Sequence, residues 1–324
     1  MILVFGSINV DLVAPVPHLP QPGETVLGGD YALLPGGKGA NQALAARRAG
    51  SEVVLAGAIG RDTFASIALS LLRRDGVDTR LVRELDRPTG CAAIMVSAAG
   101  ENAIAVSPGV NSETRSDWVP DELLDPRTIV VAQMEVPFGE TASLIRRARM
   151  RGARCLLNLA PALSLDPGLL SEIDLLVTNK REAMTLGPDP VELARRLRRG
   201  LVVTRGAAGA IVLLADGSAL EVPALSVDPV DTTGAGDTFV ASSPRRSIWA
   251  RASSKRCRGP APQRVLRAWH MARKPQCRMQ RQSTWRWCGC QSSLLTSAEC
   301  RENYDLSLSG LAMQCSRNSA RMSR

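Results

Sequence analysis

Over its first 240 residues the chain alternates short apolar runs with stretches of helical period. Ile2–Phe5, Val53–Ala56, Thr128–Ala132, Cys155–Asn158, Leu175–Thr178, Leu201–Thr204 and Ala210–Leu214 carry near-continuous aliphatic character, the pattern of strands covered on both faces. Between them Ala40–Ala49, Ala65–Asp75 and Phe138–Arg149 repeat apolar positions at helical spacing, and Gly50 stands where the first helix needs a C-cap residue. This alternation predicts βα units, and hence an α/β fold around a central, mostly parallel sheet. Two stretches break the rhythm. Residues 13–34 and 89–107 read as extended segments with turns, such as the alternating run Cys91–Ser97 followed by Ala-Ala-Gly-Glu-Asn and then Ala103–Val106. They predict a small antiparallel sheet standing off the main one as a lid over a site. Two irregular surface hairpins are the alternative.

A chain of 324 residues is long enough for one large α/β domain with a small accessory element. Aromatic residues make up only 3% of it, so nothing points to a stacking platform for bases. No apolar run approaches the roughly 20 residues that span a bilayer. Met1-Ile-Leu-Val-Phe5 begins as a strand, without the basic flank and cleavage site of a signal peptide. A cytoplasmic protein with no membrane partner is expected.

Charge changes this picture by splitting the chain. Up to Val240 there are 23 Lys/Arg against 28 Asp/Glu, whereas residues 241–324 hold 17 Lys/Arg and 3 Asp/Glu. Six of the eight cysteines also lie in that tail, at Cys257, Cys277, Cys288, Cys290, Cys300 and Cys315. Their spacing fits neither a paired zinc knuckle nor a disulfide framework. Read functionally, the tail is a basic nucleic-acid-binding segment. Read plainly, it is not a selected sequence, and a nucleic-acid partner is not expected.

The strongest chemical signal is Asp231-Thr-Thr-Gly-Ala-Gly-Asp237-Thr-Phe-Val240. A Gly-Ala-Gly turn opening a helix exposes successive backbone N–H groups at the positive end of the helix dipole, an arrangement suited to a transferring phosphoryl group. An Asp in the first turn lies beside that pocket, where it can accept a proton from an attacking hydroxyl. Near the N-terminus, Pro35-Gly-Gly-Lys-Gly-Ala-Asn-Gln-Ala43 leaves little side chain to block a ligand. It is not a Walker A loop, whose spacing is absent. Asn9 and Asp11 follow the first strand, at the carboxyl edge where open α/β sheets place ligands. His18 and His270 are the only histidines and lie in no motif, which disfavours histidine-based catalysis.

These two strings, with Gly6-Ser-Ile-Asn-Val-Asp11, Pro22-Gly-Glu-Thr-Val26, Gln133-Met-Glu135, Asn158-Leu-Ala-Pro161, Thr178-Asn-Lys-Arg-Glu182 and Val203-Thr-Arg-Gly206 in order, resemble the ribokinase-like carbohydrate kinases, also called the phosphofructokinase-B family. The resemblance covers residues 1 to about 240. It implies a three-layer sandwich with a small β-lid, and ATP-dependent phosphorylation of the primary hydroxyl of D-ribose to ribose 5-phosphate. It implies that Asn9, Asp11, Gly37, Lys38, Asn41 and Glu135 hold the sugar. Asp237 is then the base, with Gly234, Ala235 and Gly236 forming the anion hole. Asn179, Thr204, Gly206 and Gly209 fall on the nucleotide side. Glu182 corresponds to a position that organises Mg²⁺ through water, and Asp231 and Thr233 to positions that coordinate an activating K⁺. A homodimer through the lid is also implied. The alternatives are a kinase for another sugar or nucleoside of this family, or an inactive truncated remnant.

The tail over 241–324 departs from the family and is expected to be frameshifted or disordered. Where the resemblance implies small-residue helices and a Gly-Ala-Gln-x-x-x-Pro-like loop, the chain reads Ser-Ser-Pro-Arg-Arg-Ser, with four of its five tryptophans at Trp249, Trp269, Trp285 and Trp287. Ala268-Trp269-His270-Met271-Ala272 must be written GCN TGG CAY ATG GCN. Taken from the last base of the alanine codon, this becomes Leu/Met/Val-Ala-Tyr/His-Gly. Continued through Met279, the shifted frame permits Ala, Gln, Ala, Ala, Met, Pro and Asp in turn. Gene sequencing is expected to show a kinase-like C-terminus in the shifted frame after codon 240. Early stop codons in that frame would refute the reading.

Overall fold

The structure is a computed structural model that describes residues 1–187, 189–224 and 235–242. β1 (Ile2–Phe5), β2 (Asn9–Val16) and β3 (Ala32–Gly36) lead into α1 (Lys38–Arg48), followed by β4 (Val53–Gly60), α2 (Thr63–Arg74), β5 (Asp78–Leu85), β6 (Gly90–Ser97) and β7 (Asn102–Ser107). Short 3₁₀ turns between 109 and 123 precede β8 (Ile129–Ala132), α3 (Phe138–Met150), β9 (Arg154–Asn158), α4 (Pro167–Leu170), β10 (Leu175–Asn179), α5 (Lys180–Leu186) and α6 (Pro190–Arg195). β11 (Gly200–Thr204), β12 (Ala210–Leu214), β13 (Ala219–Val222) and α7 (Ala235–Ser242) complete the described elements.

Nine strands form one sheet in the order β13-β12-β11-β10-β9-β8-β1-β4-β5, parallel from β11 to β5 and antiparallel at the β11–β12–β13 end. Every residue of β1, β4 and β8 is buried. Pleating then sorts alternate side chains into two cores. Ile2 and Val4 pack in a layer with Ala43 and Leu44 of α1, Leu69 and Leu72 of α2, and Phe239 and Val240 of α7. Leu3 and Phe5 pack on the other face with Leu144 and Ile145 of α3, Leu169 and Leu170 of α4, and Leu193 of α6. The predicted three-layer α/β sandwich is the result. Gly50 ends α1 in the expected way: at φ 79°, its N–H bonds Arg47 O while that of Ser51 bonds Ala46 O, the pairing of a Schellman motif.

β5 and β13 are strands that periodicity does not reveal. Both lie at sheet edges, where Asp-Thr-Arg-Leu-Val-Arg-Glu-Leu and Ala-Leu-Glu-Val keep mostly half-exposed or exposed positions rather than a buried run. β4 extends past Ala56 to Gly60, its end disguised by Gly57 and Gly60.

The second sheet corrects one expectation. Its order is β3-β2-β6-β7, and only the outer pairs are antiparallel; the central pair, β2 and β6, runs parallel with Asn9 opposite Gly90. The cause is topological. β2 follows β1 and β6 follows β5, and both parent strands point toward the carboxyl edge of the large sheet, so both continuations leave it in the same direction. Within the segment 13–34, only its two ends are strand. Gly234, Asp231, Thr233 and the basic tail beyond Ser242 lie outside the described residues.

Candidate active site

The carboxyl edge of the parallel strands collects most of the residues singled out above. β1 ends at Phe5 and the chain turns through Gly6-Ser7-Ile8 into β2, while α1 begins directly above this turn. The glycines of Gly36-Gly37-Lys38-Gly39 serve this approach of chain to chain. A Cβ on Gly39 would sit 2.6 Å from Gly6 C and 2.7 Å from Ser7 N; one on Gly37, which has φ +86°, would sit 2.7 Å from Asn9 N. Sequence reasoning reads these glycines as space for a ligand, but the described backbone itself occupies the space beside Gly37 and Gly39. The Ala40 N–H donates to Ser7 O at 3.0 Å, and that of Gly39 to Ser7 Oγ at 3.4 Å. Lys38, Asn41 and Gln42 are thereby placed over the end of β1.

Asp237 comes to the same place from α7. It lies in the first turn of that helix and is only 7% exposed. Gln42 Nε2 donates to its Oδ1 at 2.9 Å and Asn41 Nδ2 approaches its Oδ2 at 3.5 Å. Burial pushes the carboxyl above the ordinary carboxylate range, while the Lys38 charge and the Gln42 donor pull it back. Lys38 Nζ lies 3.7 Å from Glu135 Oε1, and Glu135 Oε2 accepts from the Lys38 N–H at 3.1 Å and from Ser7 Oγ at 2.6 Å. Burial would lower the Lys38 ammonium, but Asp237, Glu135 and Glu182 outweigh it and hold the group above its usual value. One cation is thus faced by three carboxylates, an excess of negative charge that a cationic partner, and not an anionic one, would offset.

Asn9 and Asp11 continue this site along β2. Asn9 is buried, and its Oδ1 accepts from Asn111 Nδ2 at 2.7 Å. Asn111 also bonds Ile8 in both directions, accepting from its N–H at 2.9 Å and donating to its carbonyl at 3.1 Å. With Oδ1 holding this bond, the Asn9 amide still has its donor group to offer. The Asp11 carboxylate lies over Gly36, where a Cβ would meet Oδ1 at 2.0 Å. Asn111 and Ser7 are therefore site-building residues that sequence reasoning missed. The one signal available for Asn111 was its place in Pro108-Gly-Val-Asn111, a turn sequence directly after the lid segment.

On the neighbouring strands, Asn179 and Glu182 make a capping box at the start of α5. Asn179 Oδ1 accepts from the Glu182 N–H at 2.9 Å, and Glu182 Oε2 from the Asn179 N–H at 2.7 Å. Burial raises the Glu182 carboxyl, opposed by the Asn179 N–H and by Lys38. Thr204 pairs with Asn179 in register and its hydroxyl donates to Thr178 O at 3.2 Å. Gly206 and Gly209, both at positive φ, shape the turn between β11 and β12. No hydrogen bond among the described residues joins Thr204, Gly206 or Gly209 to the Asp237 cluster. Nor do the described residues hold a group of three or more His, Cys, Asp or Glu side chains poised to chelate a metal. Burial pushes the Cys155 thiol up to about 12, so it is no nucleophile.

Comparison with known proteins agrees with this geometry. Residues 1–243 match the pfkB family of carbohydrate kinases. The chain belongs to that family. The kinase is similar to the ribokinase of Lactococcus lactis, at 36% identity over 242 residues covering 73% of this chain and 80% of the relative. It is also similar to the deoxyribokinase of Salmonella typhi, at 32% over 254 residues covering 74% and 83%. Among solved structures, Arabidopsis thaliana ribokinase complexed with ribose and ATP superposes with a TM-score of 0.71 at 25% identity, covering 84% of this kinase and 90% of that chain. The kinase is a phosphotransferase acting on a sugar, with ATP as co-substrate. No helix among its described residues is long and apolar enough to cross a membrane.

Proposed function

We propose that this kinase transfers the γ-phosphoryl group of ATP to the primary hydroxyl of D-ribose, giving ribose 5-phosphate and ADP. The observation that carries the reading is the buried carboxylate of Asp237, in the first turn of α7 and beside Lys38, Asn41 and Glu135. The sugar lies between that cluster and β2, held by Asn9, Asp11, Gly37, Lys38, Asn41 and Glu135. Asp237 takes the proton of the 5-hydroxyl as its oxygen bonds the γ-phosphorus and the bond to ADP breaks. The N–H groups of Ala235, Gly236 and Asp237, at a helix start, receive the charge on the phosphoryl oxygens. Asn179, Thr204, Gly206 and Gly209 lie toward the nucleotide.

Mg²⁺ fits the donor set through water. One oxygen of Glu182 is committed to the capping box, and the other makes no hydrogen bond among the described residues. A single oxygen suits an ion that keeps most of its water and takes the rest of its ligands from phosphates. When bound, the ion neutralises charge on the transferring phosphates. K⁺ would be coordinated by Asp231 and Thr233, by family resemblance. The exposed Ile104 and Val106 on edge strand β7 support a homodimer formed through the lid. The two described cysteines, both free thiols, support a cytoplasmic location.

The test is an ADP-release assay across D-ribose, 2-deoxyribose, fructose and adenosine. D-Ribose is expected to give the highest kcat/KM. A better acceptor among the others would reassign the substrate, and silence with all of them would favour an inactive remnant.

A further inference from the structure

We propose that Gln42 and Gln133 form a two-amide relay that orients Asp237, committing its Oδ1 to a hydrogen bond and leaving Oδ2, which Asn41 Nδ2 approaches at 3.5 Å, to take the acceptor's proton. The relay rests on the reading of Asp237 as the base. Both glutamines are fully buried, at 0% exposure. Gln133 Nε2 donates to Gln42 Oε1 at 2.6 Å, and Gln42 Nε2 donates to Asp237 Oδ1 at 2.9 Å. Residues 133, 42 and 237 come from the position just after β8, from α1 and from α7, so one line of hydrogen bonds joins three parts of the chain.

The line has a direction. An amide offers a donor at one end and an acceptor at the other. With Oε1 held by Gln133, Gln42 must present N–H to Asp237. If Gln42 turned over, its Oε1 would face an ionised carboxylate, two acceptors with no proton between them. Gln133 presents its donor to Gln42 in turn. Its Oε1 is buried without a hydrogen-bond partner and lies so close to Gly6 that a Cβ there would sit 1.8 Å away. Core filling does not account for this arrangement, because a buried acceptor without a hydrogen bond is destabilising and an aliphatic side chain of the same length would avoid it. An amide wedged with its acceptor against Gly6 has its donor directed at Gln42.

The charged groups facing Asp237 are Lys38 from α1 and Glu135 from the segment after β8, with Glu182 of α5 facing Lys38 in turn. None of them touches Oδ1. Removing the Gln42 donor should therefore make Asp237 harder to ionise, because a hydrogen bond to a charged group favours the charged form.

The test is a carbon-13 NMR titration of the full-length protein with labelled aspartate, in which the Asp237 carboxyl resonance is the one lost in Asp237→Asn. Gln42→Met should raise its titration midpoint by about one pH unit. Gln133→Met should raise it by less, and the double variant by no more than Gln42→Met alone, because the two amides act in series. Gln133→Glu, nearly the same size, should raise it as well, since a carboxylate there draws the Gln42 N–H away from Asp237; this variant carries the test if the Met variants do not fold. The acid limb of kcat/KM should move with each midpoint. Midpoints unchanged in both Gln133 variants, or additive shifts in the double variant, would overturn the relay. Parental turnover in Asp237→Asn would instead remove the base reading, while the titration still reports whether the relay exists.

Discussion

Asp237→Asn is expected to lower kcat for phosphoryl transfer by about two to four orders of magnitude, the range that a positioned general base supplies, while leaving sugar affinity nearly unchanged. The amide has almost the size of the carboxylate and can keep a hydrogen bond with Gln42, so the pocket is preserved while the proton acceptor is lost. The expected split is therefore a large fall in kcat with dissociation constants that barely move, read by ADP release and by calorimetry with the sugar alone. Turnover close to the parent's would show that the sugar hydroxyl loses its proton elsewhere. The pH dependence follows the same group. Burial raises the Asp237 carboxyl, so the active, ionised form is lost as pH falls through a midpoint above the ordinary carboxylate range.

The second large effect is expected on binding. Asp11→Ala should weaken D-ribose binding by about 2–4 kcal/mol, or roughly 30- to 900-fold in Kd, because two neighbouring sugar hydroxyls lose a charged acceptor. The fold should tolerate the change. Asp11 lies on β2 against Gly36, where a methyl group leaves room rather than creating a clash. Calorimetry with D-ribose and with 2-deoxyribose measures the effect. An unchanged Kd for D-ribose would place the sugar away from β2.

Much of the fold was legible because the interior of a parallel sheet leaves a strong trace. Strands such as β1 and β8 are buried on both faces and read as short aliphatic blocks, whereas edge strands β5 and β13 expose one side and lose that contrast. The parallel pairing of β2 with β6 depends on which way two distant strands leave the main sheet, and alternation within either segment carries no such information. The same limit governs the site. Lys38, Asn41, Glu135 and Asp237 stand in recognisable strings, and the fold brings them together. Gln42 and Gln133 stand in those strings too, but their role depends on partners 195 and 91 residues away. One local cue was present: Gln42 is four residues after Lys38 and so lies on the same face of α1, an amide where a purely structural helix would place an apolar side chain. For Asn179 and Glu182, the local reading of a helix cap holds, and it does not conflict with the functional one, since one pair of side chains can make the capping box and still leave a carboxylate oxygen outside it.

The contact between α1 and α7 has a consequence for synthesis on the ribosome. Every described strand is complete by Val222, so an emerging chain can assemble both sheets, the glycine turns and the Lys38–Glu135 pair before Asp237 exists. Asp237 then arrives from 195 residues downstream to meet Gln42, made near the start of translation. The entropy of closing so long a loop grows only logarithmically with its length, so the separation itself is a modest obstacle. What it imposes is an order of events: the described strands and the Lys38–Glu135 pair form first and the Gln42–Asp237 contact last, and a ribosome that stalls anywhere in this interval leaves those strands assembled without Asp237.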